Sequence, residues 1–227
     1  LVTRRLFPEV IARLAGHFEV DYHDDDQALT PSELAVRLSD KAGMMLVLTD
    51  RLDASVLAAA PALKVAANVA VGYNNIDLAA CSAAGVMATN TPGVLNETTA
   101  DMVWTLMMAS ARRVVAADKW TRNGGWQSWK FLDPWLGQDV HGATLGIVGM
   151  GRIGQAVARR AQGFDMRVIY HNRTPQTETG GATWVEKNTL LAESDFIVLM
   201  VPYSPATHHL IGAAELAQMK AMAHLVN

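Results

Sequence analysis

The stretch from Thr144 to Ala161 constrains the fold of this chain more than any other. The apolar run Leu145–Val148 predicts a buried strand, and a glycine-rich turn follows directly: Gly149-Met150-Gly151-Arg152-Ile153-Gly154. Helix-forming residues then continue from Gln155. In a dinucleotide site the first glycine allows the tight turn, the second admits the pyrophosphate, and the third lets helix and strand pack closely. A glycine turn without a ligand is the alternative, but the flanking strand and helix favour the nucleotide.

Composition excludes several classes of partner. Half of the 227 residues are hydrophobic, which predicts a full core. The net charge of −3 and the lack of a basic run argue against nucleic acid or an anionic membrane. The one cysteine, Cys81, fits a reducing compartment, so we expect a cytoplasmic protein without a membrane span. The three adjacent acids at Asp24 lack spaced partner ligands, so we expect no metal.

Both ends of the chain suggest truncation. Position 1 is Leu rather than Met, and the last residues, His224 to Asn227, have the pattern of a starting strand. We therefore expect residues to be missing at each end.

Strand and helix patterns alternate along the chain, which predicts an α/β fold with parallel sheets. We expect two such units, residues 1–95 and 96–227, with the second incomplete at its end. The predicted strands are 1–5, 18–20, 44–48, 63–69, 85–90, 145–148, the run within 164–174, 195–202 and 224–227. The predicted helices are 8–18, 31–38 with Thr30 and Glu33 as a capping box, 55–60, 96–113 with Asn96 as N-cap, 155–161 and 215–222.

Two strand ends are candidate binding sites. Val69 to Asp77 leads from a strand through a Gly-Tyr-Asn-Asn loop into a helix, and its N–H groups suit a carboxylate. A plain helix-starting turn fits these residues equally well. At the other strand end, the position that reads the adenosine ribose has Asn172 and Arg173 and no acid. An arginine can pair with a 2′-phosphate, so this end predicts NADP(H) over NAD(H) unless Arg173 is a plain surface residue.

Five of the six tryptophans lie between Trp104 and Trp135. An irregular arm this rich in tryptophan must bury it, either internally or against a second subunit. We favour the subunit interface and expect a homodimer.

Four segments together resemble the D-isomer-specific 2-hydroxyacid dehydrogenases, and within them the glyoxylate/hydroxypyruvate reductases. The segments are Asn68–Asp77, Asn90–Asp101, Gly146–Gly154 and Ser194–Phe196 leading to Val201-Pro202. The resemblance covers nearly the whole chain. It implies a flavodoxin-like substrate domain and a Rossmann cofactor domain with a cleft between them.

The resemblance also implies roles for individual residues. Val71 and Gly72 would bind the carboxylate of a 2-oxo acid through backbone N–H groups. The cofactor would lie on Gly149, Gly151, Arg152, Ile153, Gly154, Asn172, Arg173, Thr174, Val201, Pro202, Thr207 and, more weakly matched, Thr99. Asn74 departs from the family's frequent Asp, a same-shaped change that leaves the carboxylate pocket plausible.

The family's catalytic Arg, Glu and His match no residue here, and we expect them beyond Asn227. His171, His208, His209 and His224 are interpreted as structural or surface residues, and the chain as given is expected to be inactive. The expected function is NADP(H)-dependent reduction of small 2-oxo acids, glyoxylate and hydroxypyruvate first. The alternatives are an NAD-linked relative, similar to phosphoglycerate or formate dehydrogenase, and a non-catalytic dinucleotide-sensing co-repressor.

Overall fold

The computed structural model describes residues 1–132 and 135–227. The chain divides into two compact units, Leu1–Val94 and Leu95–Asn227. Each unit has its own parallel sheet with helices between the strands, which confirms the α/β class. Among the described residues, no helix is both long and apolar enough to cross a membrane.

The first unit has a sheet of three parallel strands in the order β1-β2-β3. Val2 forms isolated parallel bridges to Met45 on β1 and to Tyr22, which extend the order to Tyr22, Val2, β1, β2, β3. In chain order this is 2-1-3-4-5, the flavodoxin-like arrangement. Its elements are α1 (Pro8–Ala15), α2 (Pro31–Leu38), β1 (Gly43–Leu46), α3 (Ala54–Ala58), β2 (Val65–Asn68), α4 (Leu78–Ala83) and β3 (Met87–Thr89).

Local signals placed most helices of this unit correctly. Thr30 Oγ1 accepts from the Glu33 N–H at 3.3 Å, and Glu33 Oε2 accepts from the Thr30 N–H at 2.9 Å, so the capping box is confirmed. The predicted strand at 18–20 is wrong. Phe18 is 68% exposed and belongs to no strand, and Tyr22 forms a single isolated bridge to Val2.

The second unit has a five-stranded parallel sheet in the order β6-β5-β4-β7-β8, the Rossmann order 3-2-1-4-5. The central strand β4 is flanked by β5 and β7, and its residues from Leu145 to Val148 are buried. Its elements are α5 (Asn96–Ala111), α6 (Val114–Arg122), β4 (Thr144–Val148), α7 (Arg152–Ala161), a 3-10 turn (Gln162–Phe164), β5 (Arg167–His171), β6 (Thr183–Trp184), α8 (Lys187–Glu193), β7 (Phe196–Leu199), α9 (Ala213–Leu216) and β8 (His224–Val226).

Buried contacts fix the helices of this unit on the sheet. A Cβ on Gly146 would overlap Ser194 Oγ, so only glycine lets the end of α8 lie this close to β4. Asp195 accepts from the Thr144 N–H at 2.9 Å and from Lys220 at 2.8 Å. Burial opposes ionisation of Asp195, but these two bonds outweigh it and lower the pKa of the carboxyl.

Helix α5 differs from its prediction at both ends. Leu95 occupies the N-cap position without a side-chain cap, so Asn96 is the first helical residue and its N-cap assignment is wrong. The helix ends at Ala111 rather than 113, because Arg113 adopts a left-handed φ of 53° and is the N-cap of α6. The predicted helix 215–222 is also too long, since α9 covers only Ala213–Leu216.

The tryptophan-rich arm is partly helical, contrary to the prediction of an irregular segment. Helix α6 contains Trp120, and an ion pair of Asp118 with Arg122, one turn apart, supports it. Trp104 belongs to α5 and is buried, where its ring stacks on Phe164 at 4.7 Å. Residues 133 and 134 of the predicted arm lie outside the described residues.

Candidate cofactor and substrate sites

The glycine turn joins β4 to α7 in a conformation that glycine makes accessible. Gly149 has φ +103°, and a Cβ there would lie 2.6 Å from the Met200 carbonyl oxygen. A Cβ on Gly154 would overlap the Gly149 carbonyl oxygen, so this glycine sets the close approach of helix and turn. A Cβ on Gly151 would meet no atom within 4 Å. The space beside Gly151 is therefore open to a ligand.

The start of α7 has the properties of an anion site. The N–H groups of Gly151, Arg152 and Ile153 have no hydrogen-bond partner in the part of the chain that the structure describes. The first turn of this ten-residue helix has no acidic residue. Free N–H groups and the positive end of the helix dipole favour phosphate oxygens. The turn therefore fits a dinucleotide pyrophosphate.

The end of β5 lies against the same turn. His171 O accepts from the Gly149 N–H at 3.0 Å, and Asn172 Oδ1 accepts from the Met150 N–H at 2.7 Å. Asn172 O accepts in turn from Trp184 Nε1 at 3.0 Å. The backbone at Asn172 is thus held on both sides, and its side chain binds the glycine turn, a role that spacing alone did not indicate.

Arg173 and Thr174 follow as exposed residues. The Arg173 side chain forms no ion pair or hydrogen bond with any residue in 1–132 or 135–227. A guanidinium that no described residue pairs with is available to a phosphate ligand at the strand end that we expect to lie at the ribose.

The end of β7 forms another side of the turn. Met200 N–H donates to Val148 O at 2.8 Å, and Val201 Cγ1 would lie 2.9 Å from a Cβ on Gly149. The pairing of β7 ends at Leu199, so the predicted strand 195–202 is too long and Pro202 lies in the loop beyond it. Thr207 lies in the next loop, where its hydroxyl donates to Pro202 O at 2.8 Å and accepts from the Ser204 N–H at 2.8 Å. Thr99 is half-buried on the second turn of α5.

Of the four histidines interpreted as structural or surface residues, His171 and His224 have structural contacts and His208 and His209 lie on the surface. His171 Nδ1 is 2.9 Å from Val185 O. His224 lies between Ser110 Oγ, at 2.7 Å, and Gln138 Oε1, at 3.2 Å, and stacks on Phe196. His208 and His209 are exposed and stack on each other at 3.8 Å.

In the first unit, the loop after β2 has free N–H groups. Val71 and Gly72 donate no hydrogen bond within the described residues, while their carbonyl oxygens accept from Asn90 Nδ2 at 2.9 Å and Asn68 Nδ2 at 2.8 Å. Gly72 is exposed and Val71 is half-buried. Asp77 caps α4 through its bond from the Ala80 N–H at 2.9 Å. The loop therefore combines the expected helix start with unpaired donors.

Comparison with known proteins identifies the family. The profile described as "D-isomer specific 2-hydroxyacid dehydrogenase, NAD binding domain" matches residues 104–227. The chain is 46% identical to the glyoxylate reductase of Thermococcus onnurineus, with 100% of this chain and 70% of that protein aligned. The chain belongs to the D-isomer specific 2-hydroxyacid dehydrogenase family.

Other relatives of this dehydrogenase agree in sequence and fold. The glyoxylate reductase of Korarchaeum cryptofilum is 46% identical, with 100% of this chain and 69% of that protein aligned. The crystal structure of the TT0316 protein from Thermus thermophilus superposes with a TM-score of 0.92 at 42% identity, covering 99% of this chain and 71% of that one. The protein is thus an oxidoreductase of the 2-hydroxyacid dehydrogenase type, and its cofactor is a nicotinamide dinucleotide.

Proposed function

We propose that this dehydrogenase reduces small 2-oxo acids, glyoxylate and hydroxypyruvate first, and prefers NADPH to NADH. The relatives named glyoxylate reductase, at 46% identity, support the substrate class. The dinucleotide, when bound, supplies the hydride that reduces the carbonyl carbon. The first unit would act as the substrate-binding domain and the second as the cofactor-binding domain.

The observation that carries the cofactor preference is the exposed Arg173, which pairs with no residue that the structure describes. It lies at a strand end that has Asn172 where NAD-binding sites have an acid. Arg173 would pair with the 2′-phosphate, and Asn172 leaves the site without a repelling charge. The other assigned cofactor contacts are part of the same proposal: Gly149, Gly151, Arg152, Ile153 and Gly154 at the pyrophosphate, Thr174 at the ribose, and Val201, Pro202, Thr207 and Thr99 along the remaining dinucleotide.

Kinetics of the complete enzyme with both cofactors test the preference. We expect kcat/KM to be higher with NADPH, and Arg173→Gln to raise KM for NADPH by about tenfold while KM for NADH changes little. Arg167→Gln is the matched control, since it removes the same charge from the other end of β5. A higher kcat/KM with NADH in the wild type, or equal losses with both cofactors in Arg173→Gln, would contradict the proposal and favour an NAD-linked enzyme.

The unpaired N–H groups of Val71 and Gly72 support a carboxylate-bearing substrate. A panel of glyoxylate, hydroxypyruvate, pyruvate, 3-phosphohydroxypyruvate and acetaldehyde tests it on the complete enzyme. We expect glyoxylate and hydroxypyruvate to give the highest kcat/KM and acetaldehyde, which has a methyl group in place of the carboxylate of glyoxylate, to give a far lower one. An equal rate with acetaldehyde would show that the carboxylate is not recognised.

We further propose a homodimer formed through the tryptophan-rich arm. The ring centroid of Trp120 lies 6.3 Å from that of Trp126 and 5.9 Å from that of Trp135. In contrast, three apolar side chains of the arm are largely exposed: Trp129 (72%), Phe131 (79%) and Leu132 (81%). A large apolar surface of this kind favours a protein partner. Sedimentation velocity should show a dimer that Phe131→Asp weakens, whereas Phe18→Asp, at an exposed position in the first unit, should leave it intact. A monomeric wild type would refute this assignment.

A cytoplasmic location is also part of the proposal. Cys81 is the one cysteine of the sequence, and its thiol is buried and free. Burial raises the pKa of this thiol, and the nearby negative charge of Asp77 raises it further by a smaller amount. The thiol therefore stays protonated and unreactive. Fractionation of cells that express the tagged enzyme should recover it with cytoplasmic markers.

A further inference from the structure

Three consecutive peptide units of the loop after β2 share one arrangement. Their carbonyl oxygens, on Ala70, Val71 and Gly72, accept from the Thr91 N–H at 2.9 Å, from Asn90 Nδ2 at 2.9 Å and from Asn68 Nδ2 at 2.8 Å. The N–H groups of the same three units belong to Val71, Gly72 and Tyr73. None of these N–H groups has a partner in residues 1–132 or 135–227.

The planarity of the peptide bond couples each of these carbonyl oxygens to the N–H group of the same peptide unit. In each unit the oxygen and the N–H lie in one rigid plane, so a bond that fixes the oxygen also fixes the direction of the N–H. A donor at the oxygen also polarises the unit and strengthens the N–H as a donor. Asn90 therefore fixes the direction of the Gly72 N–H and strengthens it as a donor, and Asn68 does the same for the Tyr73 N–H. Neither asparagine needs to touch a ligand to have this effect.

The two asparagines are themselves held in place. Asn68 is 2% exposed, and it exchanges 3.3 Å hydrogen bonds with Asn75 through Nδ2 and Oδ1 in both directions. Asn75 Nδ2 also donates to Val47 O at 3.2 Å and to Asp50 O at 3.1 Å. Because the surrounding backbone groups are carbonyls, the network requires amide N–H donors, which an aspartate cannot supply.

We propose that Asn90 and Asn68, supported by Asn75, are positioning residues that orient the N–H groups of Val71, Gly72 and Tyr73 toward the carboxylate of the 2-oxo acid. This inference rests on the proposed function of the loop and adds Tyr73 N–H as a third donor. Since the donors are fixed before the acid arrives, less conformational entropy is lost on binding.

Asn90 is the residue to test, because it is half-buried and each substitution there changes one bond. Asn90→Ala removes the donor to Val71 O, and Asn90→Asp keeps the shape but places an ionised acceptor against that oxygen. We expect KM for glyoxylate to rise about tenfold in the alanine variant and further in the aspartate variant. The dissociation constant of NADPH should stay the same, and kcat at saturating acid should change far less than KM.

The order of the variants separates positioning from space filling. If Asn90 only fills space, the isosteric aspartate should preserve KM better than alanine does. If Asn90 acts as a donor, alanine should be the milder change, and the defect of Asn90→Asp should shrink as pH falls and the new carboxyl regains a proton. Thr30→Ala is the stability control, because it removes the α2 cap of the same unit and should lower the Tm without changing KM.

Failure of this inference differs from failure of the proposed function. A wild-type enzyme that reduces none of the 2-oxo acids overturns both. A wild-type enzyme that reduces glyoxylate, together with unchanged KM in both Asn90 variants, overturns the positioning role and leaves the substrate assignment standing.

Discussion

Asn172 Oδ1 accepts a hydrogen bond from the Met150 N–H at 2.7 Å, so the residue proposed to lie at the ribose also holds the glycine turn. Asn172 and Met150 lie at the carboxyl ends of adjacent strands, β5 and β4. One side chain therefore connects the part of the site assigned to the ribose with the part assigned to the pyrophosphate.

Asn172→Asp should change cofactor preference without loosening the turn. The aspartate can still accept from the Met150 N–H, but its charge repels a 2′-phosphate. We expect kcat/KM with NADPH to fall by about tenfold or more and kcat/KM with NADH to rise. Asn172→Ala is the comparison, since it loses the Met150 bond and should weaken both cofactors alike. An unchanged NADPH to NADH ratio in the aspartate variant would argue against this reading of Asn172.

Gly151→Ala should impair cofactor binding, whereas Gly154→Ala should impair the stability of the fold. A Cβ on Gly151 meets nothing within 4 Å, and φ −81° suits alanine, so the Tm should stay near that of the wild type. The methyl group would occupy the space assigned to the pyrophosphate, so NADPH should no longer raise the Tm. Gly154→Ala should lower the Tm even without cofactor, because its Cβ overlaps the Gly149 oxygen. Thermal scans with and without NADPH distinguish these results, and normal NADPH binding by Gly151→Ala would refute the assigned role.

Trp104 should contribute to stability through both its ring and its N–H. Its Nε1 donates to Val157 O at 3.2 Å, and the ring stacks on Phe164. Trp104→Phe keeps an aromatic ring but loses the bond, so we expect a loss of about 1–2 kcal/mol in the free energy of unfolding. Trp104→Ala should lose about 3–5 kcal/mol. Urea titration gives both values, and equal stability of the phenylalanine variant and the wild type would show that the hydrogen bond contributes nothing.

Glu97 should make the contact between α5 and α7 sensitive to acid. Hydrogen bonds from Arg159 and then Arg160 lower the pKa of Glu97 below its ordinary value of 4.5. Its stabilising effect is therefore complete above that value and is lost as pH falls through the lowered pKa of the folded state. Because the group is exposed, we expect a small effect.

The Tm of the wild type and of Glu97→Gln, measured from about pH 3 to about pH 7, should differ most at neutral pH and converge in acid. Glu178→Gln is the control, since Glu178 has no ion pair with any described residue. A Tm difference that does not change with pH would show that the Glu97 charge has no part in the contact.

Sequence patterns predicted the parts of the fold that depend on neighbouring residues. The strand, glycine turn and helix from Thr144 to Ala161 are confirmed as elements, as is the capping box of α2. The patterns misplaced elements whose limits depend on tertiary packing. Helix α6 was missed because its tryptophan suggested an irregular arm, and β6, with two residues, is too short to leave a periodic signal.

The contacts that organise the candidate sites were beyond the reach of these patterns. Asn90 and Val71 are 19 positions apart, and Asn172 and Met150 are 22 apart. Each of these bonds exists only because parallel strands bring distant segments to one edge of a sheet. The motifs thus indicated which loops would bind ligands, and the fold shows which side chains hold those loops in shape.

Arg173 and Thr174 are exposed, whereas the glycine turn is confined between three strand ends. Substitutions at these two positions therefore disturb no core packing, while an added Cβ at Gly149 or Gly154 would overlap backbone atoms. If Arg173 pairs with the 2′-phosphate as proposed, selection can alter the discrimination between the two dinucleotides at little risk to folding, while the glycine turn stays fixed. Descendants of one ancestral chain could in this way adapt to different cellular pools of reducing equivalents while keeping the same architecture.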